Sequence, residues 1–356
     1  MQTYIVYISA LLISAILAYV AEKKGKRKYI LFAAIVLSAL AGLRAVSVGI
    51  DSINYSNYFS MIANGQGHLA YGLEDTFVFI CEVLLKIWNN DNFLFTVFAL
   101  ITNLLIFARL WDFKSQISLP VAVAVYYVMF YFMSLNIMRQ FAAVAIVFFA
   151  TRYIAKRNYF KFCLGVIIAT LFHISAVFGI LFIFCDFFVW KYLSKWQKRL
   201  FVCALVVAPF VLIAGLYIIF TNYGYYLANI EIKFGFMIAV KLLLLGAMVL
   251  MGRKRGSEDD DAETAREDGY KISSARLYYF LGLIITAGGY MVKYFDRIGL
   301  YFYMFEIVCI AMIFKTVRVP RWIKFFILAI YVYTFVLALT SNGQGQLPYL
   351  FAWQQS

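Results

Sequence analysis

The chain has 356 residues, 64% of them hydrophobic and 14% charged, with a mean hydropathy of +0.83. That is more apolar than a soluble core needs, and its apolar runs of 15 to 22 residues match the bilayer's hydrocarbon thickness, so a soluble enzyme or binding module is excluded. The net charge of +14 does not point to nucleic acid, because the basic residues lie in short juxtamembrane clusters and form no contiguous basic face.

Six of those clusters, at 22–28, 109–114, 152–161, 191–199, 253–276 and 315–324, alternate with apolar stretches and belong on one side, taken as cytoplasmic by the positive-inside bias. In chain order this predicts an all-α polytopic membrane protein with about twelve transmembrane helices. They fall near 3–21, 29–45, 92–110, 119–135, 137–154, 160–172, 174–190, 200–220, 234–252, 277–293, 298–314 and 322–340, with both termini external. The first run has no basic segment before it and no small-residue cleavage site, so it reads as a retained span. The segment from Glu74 to Trp88 is 15 residues long and carries Glu82 and Lys86 one turn apart; it reads as an external amphipathic helix at the interface. The arm at 160–172 is short, which predicts a hairpin broken near His173.

The whole chain reads as a single membrane domain. An external loop with the interfacial helix covers 44–91, and a flexible, charged cytoplasmic loop covers 252–276. The residues at 341–356 form an external C-terminal tail. The five cysteines, Cys81, Cys163, Cys185, Cys203 and Cys309, stand singly in apolar surroundings and read as small buried hydrophobes.

Twenty-five of the 32 Lys and Arg residues lie in the six basic loops; Arg44, Lys86, Arg139, Lys233, Lys241, Lys293 and Arg297 do not. A cation outside the basic loops opposes both sidedness and the cost of burial, which makes these seven functional candidates. In LRAVSVGIDSINYSNYF, Arg44 ends a helix and Gly49 opens a turn ahead of Asp51. This arrangement suits a phosphate and a hydroxyl, or equally a snorkelling Arg and a helix-capping or turn-forming Asp. In NIMRQF, Asn136 is available as N-cap and Arg139 sits in the first turn, where an arginine and free N–H groups make an anion site. His173, in LFHIS, reads either as a proton acceptor or as a hydrogen-bonded brace of the hairpin. Lys293, Asp296 and Arg297 share a turn before Tyr301 and Tyr303, leaving net positive charge suited to a pyrophosphate. Lys241, Asp186 and Glu306 are intramembrane charges that sequence alone does not pair. Most of the 27 Tyr and 36 Phe read as lipid-facing or interfacial aromatics, with Tyr55, Tyr58 and Tyr301 as candidates to stack on sugar rings.

The Arg-x4-Gly-x-Asp-x3-Tyr run at 44–55, the Asn-x2-Arg-Gln of NIMRQ, the Phe-His-x-Ser of LFHIS, the Arg-x3-Tyr of RIGLY and the LPY at 347–349 together resemble the EpsG-like family, which groups with Wzy-type polysaccharide polymerases. The acidic stretch at 257–268 is not part of that pattern. The resemblance implies a GT-C-like glycosyltransferase in the cytoplasmic (inner) membrane of a bacterium, joining undecaprenyl-diphosphate-linked oligosaccharide units at its outer face. It implies His173 and Asp51 as catalytic groups, and Arg44, Arg139, Arg297 and Lys293 as diphosphate ligands. Tyr55, Asn136, Gln140 and Tyr301 would then bind glycan. The donor is already activated, so no cofactor is implied; a chain-length regulator and a flippase are candidate partners beside the lipid bilayer. The rival readings are a transporter or flippase of lipid-linked glycans, which would want a repeat and a polar path through the midplane, and an O-antigen ligase-type glycosyltransferase, which sequence does not separate.

Overall fold

The computed structural model describes residues 2–67, 73–189, 241, 262–288, 295–316 and 319–354. Among them the secondary structure is helical, with one isolated antiparallel bridge between Arg44 and Phe351. The helices are α1 (Gln2–Lys24), α2 (Arg27–Gly42), α3 (Ser52–Ala63), α4 (Asp75–Ile87), α5 (Asp91–Asp112), α6 (Leu119–Tyr126), α7 (Phe132–Asn136), α8 (Met138–Ala155), α9 (Tyr159–Phe172), α10 (Leu181–Val189), α11 (Ala262–Gly288), α12 (Phe295–Tyr303), α13 (Phe305–Lys315) and α14 (Arg321–Ser341). A π turn at Tyr127–Tyr131 joins α6 to α7, and a 3-10 turn at Ile174–Ile180 leads into α10.

Six helical stretches among the described residues are long and apolar enough to cross a membrane: Thr3–Lys24, Asp91–Asp112, Leu119–Asn136, Met138–Ala155, Asp296–Lys315 and Arg321–Ser341. The protein is therefore a multi-pass membrane protein. Large apolar side chains stay exposed along α1 (Ile5, Leu12, Ile16) and α14 (Phe325, Val332, Tyr333), the surface a helix shows to lipid. The expected spans near 200–220 and 234–252 lie outside the described residues apart from Lys241. Of the stretch expected as a flexible loop at 252–276, residues 262–276 continue into α11; Ala, Glu, Lys and Arg favour helix once the next span is nucleated.

Local chemistry sets the boundaries. Pro120 stands in the first turn of α6, where its missing N–H costs nothing. Asn90 caps α5 by accepting from the N–H groups of Asn92 and Phe93. Asn342 ends α14 in the left-handed conformation at φ 50°. Helices α11 and α12 approach closely at glycine, since a Cβ on Gly282 would lie 2.4 Å from the Tyr303 backbone nitrogen.

The two ends of the bundle differ. At one end Asp112 accepts from Arg109 at 3.2 Å and Arg152 at 3.0 Å, while Lys315 pairs with Glu22 at 2.8 Å and donates to the Lys114 carbonyl at 2.6 Å. Four of the six basic loops thus meet there. The other end holds the α2–α3 turn, the start of α8, the break at His173 and the C-terminal tail. The tail is folded against the α2–α3 turn: Gly49 N–H donates to the Gly345 carbonyl at 2.7 Å, Ala45 N–H to Leu350 at 2.8 Å and Ala352 N–H to Leu43 at 2.9 Å. This is how LPY, remote in sequence from the other motifs, reaches them.

The intramembrane charges find partners that sequence did not supply. Lys241 is 2.8 Å from Glu306 and also bonds the Tyr303 hydroxyl, and Tyr331 donates to Glu306 at 2.6 Å. Asp186 accepts from Tyr159 at 2.6 Å.

Candidate functional site

Asp51 from the turn before α3, Asn54, Tyr55 and Tyr58 from α3, Ile137 from the start of α8 with Arg139 and Gln140 from the helix itself, His173 from the hairpin and Arg297 from α12 line one cavity of about 180 Å³. Six of the expected site residues therefore meet in space: Asp51, Tyr55, Arg139, Gln140, His173 and Arg297. They come from segments separated by up to 246 positions of chain, so only the fold could join them.

Gly49 makes the Asp51 turn possible. Its φ of +100° is a conformation that side chains disfavour, and a Cβ there would meet Ser52 Oγ at 2.8 Å and Asn136 Oδ1 at 2.9 Å. Asp51 then occupies the N-cap position of α3, yet its side chain makes no capping bond and lines the cavity instead. The helix-cap reading of Asp51 is thereby corrected. The expected N-cap role of Asn136 is also corrected: it closes α7, and α8 starts after Ile137, which makes no side-chain cap. The Asn136 amide is otherwise engaged, donating to the Gln344 carbonyl at 2.9 Å and Gln344 Oε1 at 2.7 Å while accepting from Asp51 N–H at 3.3 Å.

Arg139 stands in the first turn of α8, ion-paired with Glu74 and facing the Phe77 ring at 5.2 Å. Gln140 Nε2 donates to the Arg297 carbonyl at 2.8 Å, which ties α8 to α12. Arg139 Nε and Gln140 Oε1 are both buried with no hydrogen-bond partner, an arrangement that costs free energy. Tyr55 sits with its ring against Phe77, centroids 6.0 Å apart, so one edge is packed and the remainder borders the cavity.

His173 breaks the hairpin in extended conformation between α9 and the 3-10 turn, as its position in LFHIS suggested. Its Nδ1 lies 3.3 Å from the Ser175 backbone nitrogen and 3.2 Å from Ser175 Oγ, which in turn bonds Tyr301 Oη at 3.0 Å. A backbone N–H can only donate, so Nδ1 accepts and the neutral ring carries its proton on Nε2. Burial lowers the His173 pKa; the Glu74 carboxylate opposes this, and the Arg139 and Arg297 cations reinforce it.

Three expected site residues, Arg44, Asn136 and Tyr301, lie away from the cavity wall. Arg44 is buried at 2% exposure, and its guanidinium donates to the carbonyls of Ala41 at 2.5 Å, Val48 at 3.2 Å and Leu135 at 2.9 Å and to Ser52 Oγ. With Phe95 stacked at 4.2 Å it pins α2, the α3 turn and α7 together and presents no face to a diphosphate in the cavity. Asn136 sits behind the Asp51 turn. Tyr301 is fully buried and holds Ser175, which rules out sugar stacking in this arrangement. Lys293 lies outside the described residues. Sequence reasoning missed Glu74, Asn54 and Ile137. Glu74 carried a weak signal, an acidic residue opening an apolar helix, which reads first as a helix-dipole partner.

A family model described as the EpsG family matches residues 27–351, nearly the whole chain, and the chain belongs to that family. Comparison with curated proteins gave no match, nor did comparison with solved structures.

Proposed function

We propose that this EpsG-family membrane protein, a Wzy-type polymerase by family, is a glycosyltransferase that joins polyprenyl-diphosphate-linked oligosaccharide units. The observation that carries the reading is the cavity itself, which gathers one carboxylate and two arginines at the end of the bundle away from the four described basic loops. By the sidedness rule that end faces outward, in a bacterial cytoplasmic membrane. Twelve spans and a GT-C-like arrangement belong to the same proposal.

In the transfer, an acceptor hydroxyl attacks the anomeric carbon of a second lipid-linked glycan, a new C–O bond forms and the bond to the diphosphate breaks. Negative charge grows on the leaving diphosphate, so preorganised cations stabilise the transition state more than the bound substrate. Arg139 and Arg297 take that role, with Lys293 as a further cation of the same turn. The acceptor proton passes to the Asp51 carboxylate. His173 is the second catalytic group, and because its neutral ring carries hydrogen on Nε2 it acts as a donor to substrate oxygen, with Asp51 as the base. Tyr55, Tyr58 and Gln140 border the glycan.

The test is to incubate purified protein with synthetic diphospholipid-linked repeats and resolve the glycan products. A ladder of repeats is the expected result. A single addition to a different acceptor makes the protein a ligase, and flux across vesicles without product makes it a transporter.

A further inference from the structure

Glu74 occupies the N-cap position of α4, yet makes no side-chain capping bond and does not line the cavity. Its carboxylate is turned across the seam between α4, α8 and the hairpin. One oxygen, Oε2, pairs with Arg139 Nη1, while the other, Oε1, lies 3.9 Å from His173 Nδ1. The three side chains are 22%, 17% and 19% exposed, so the charges are largely withdrawn from water and their interaction is stronger than on an open surface. Arg139 Nε has no partner of its own, and the guanidinium is oriented by its Glu74 ion pair together with its contacts to Tyr55 and Phe77.

We infer that Glu74 is a positioning residue for the transfer reaction: one carboxylate holds the arginine of the cavity by an ion pair and, through its charge alone, tunes the histidine beside it. This rests on the proposed glycosyl transfer for its catalytic part, but not for its electrostatic part. The groups facing His173 are Glu74 from α4, Arg139 from α8, Arg297 from α12, Asp51 across the cavity, and Ser175 backed by Tyr301. Both arginines disfavour a proton on the ring, and Glu74 is the carboxylate that opposes them there. Replacing Glu74 by Gln keeps the shape and one hydrogen-bond acceptor but removes the charge. The ring then faces the two cations without that counterweight, and Arg139 is freed to take other orientations.

The chain has two histidines, so in a His68→Gln background His173 gives the single imidazole signal in the NMR spectrum of the full-length protein. Glu74→Gln is expected to move that titration to lower pH. In the glycan-ladder assay it is expected to lower turnover on the order of 10-fold to 100-fold, the scale of a misplaced reacting group, with a smaller change in KM. An unmoved titration overturns the inference. So does a moved titration with normal turnover, which leaves Glu74 a merely structural ion pair. If Glu74→Gln fails to fold, Glu74→Asp serves, since it keeps the charge but shortens the reach: a titration near wild type with reduced turnover supports the inference, and undiminished turnover overturns it. Wild-type protein that makes no ladder from any donor would sink the polymerase reading while leaving the titration result standing.

Discussion

Arg44 and Arg139 look alike in sequence, each a cation outside the basic loops and each opening a polar motif, but the fold puts them to different uses. Arg44 satisfies three backbone carbonyls and Ser52, whereas Arg139 faces the cavity. Arg44→Lys is therefore expected to leave buried acceptors unpaired, at about 1–3 kcal/mol each, and to lower the unfolding temperature while activity per folded molecule is retained. Arg139→Lys and Arg297→Lys are expected to fold and insert normally but lose most activity, because an ammonium does not reproduce a two-pronged contact with phosphate. Thermal unfolding measured beside the ladder assay separates the two classes, and a stable, inactive Arg44→Lys would return Arg44 to the diphosphate site. For the acid–base pair, Asp51→Asn is expected to reduce turnover by roughly 10² or more, while His173→Gln, which keeps a donor, should lose less. Burial holds His173 neutral below the ordinary histidine value of about 6.5. The ring thus gains its proton only in more acid solution, and any loss of rate due to it should set in on the acid side of that value and disappear in His173→Gln. The residue types at the site were legible because a membrane makes stray polar groups conspicuous. Their roles were not, because whether an arginine faces a cavity or a set of carbonyls depends on segments as remote as Leu135.

Some helix breaks followed from apolar runs and breakers, as at His173, where a short arm announced the broken hairpin; the start of α11 at Ala262 and the break between α12 and α13 did not. The sequence also marked α4 as amphipathic. The structure shows Phe77, Cys81 and Leu84 buried at helical spacing while Phe79, Ile87 and the adjoining Trp88 stay exposed, as an interfacial helix resting on the bundle would be. Periodicity gives no hint, however, that the C-terminal tail folds back, because its hold on the α2–α3 turn is made of backbone bonds that any sequence can form. The tail nonetheless reaches the site: Gln344 holds Asn136, Asn136 receives the Asp51 N–H, and Gly345 receives the Gly49 N–H. Gln344→Ala removes the side-chain acceptor but keeps the backbone one, and is expected to cost only a few-fold in turnover. Removing the chain beyond Asn342 removes both, and should raise hydrogen exchange over residues 43–51 and cut turnover at least as far as Asp51→Asn. Exchange over 43–51 that is unchanged by truncation would show that the turn stands without the tail.

At the scale of the whole molecule, charge distribution predicted sidedness, and the described helices bring four basic loops to one end through the Asp112 and Glu22 pairs while the cavity lies at the other. What sequence did not supply was depth: α9 is 14 residues, about 21 Å at helical rise, which is short of the roughly 30 Å hydrocarbon core. Such an arm is complete only with the 3-10 turn and α10, so hairpin and cavity are built together. Cysteine labelling of a cysteine-free background tests the sidedness directly, provided the positions chosen are exposed. Ser47 and Ser60 meet that condition at the cavity end, and Lys26 and Lys156 at the other, whereas Asn136 is buried and would resist labelling on either side. Ser47→Cys and Ser60→Cys are expected to react with an impermeant maleimide in intact cells, and Lys26→Cys and Lys156→Cys only after permeabilisation. The opposite pattern would place the cavity on the cytoplasmic side and overturn the outward-facing site. Labelling of Ser47→Cys and Lys156→Cys from the same side would break the assignment of α5 and α8 as crossings, since those helices separate the two ends of the bundle.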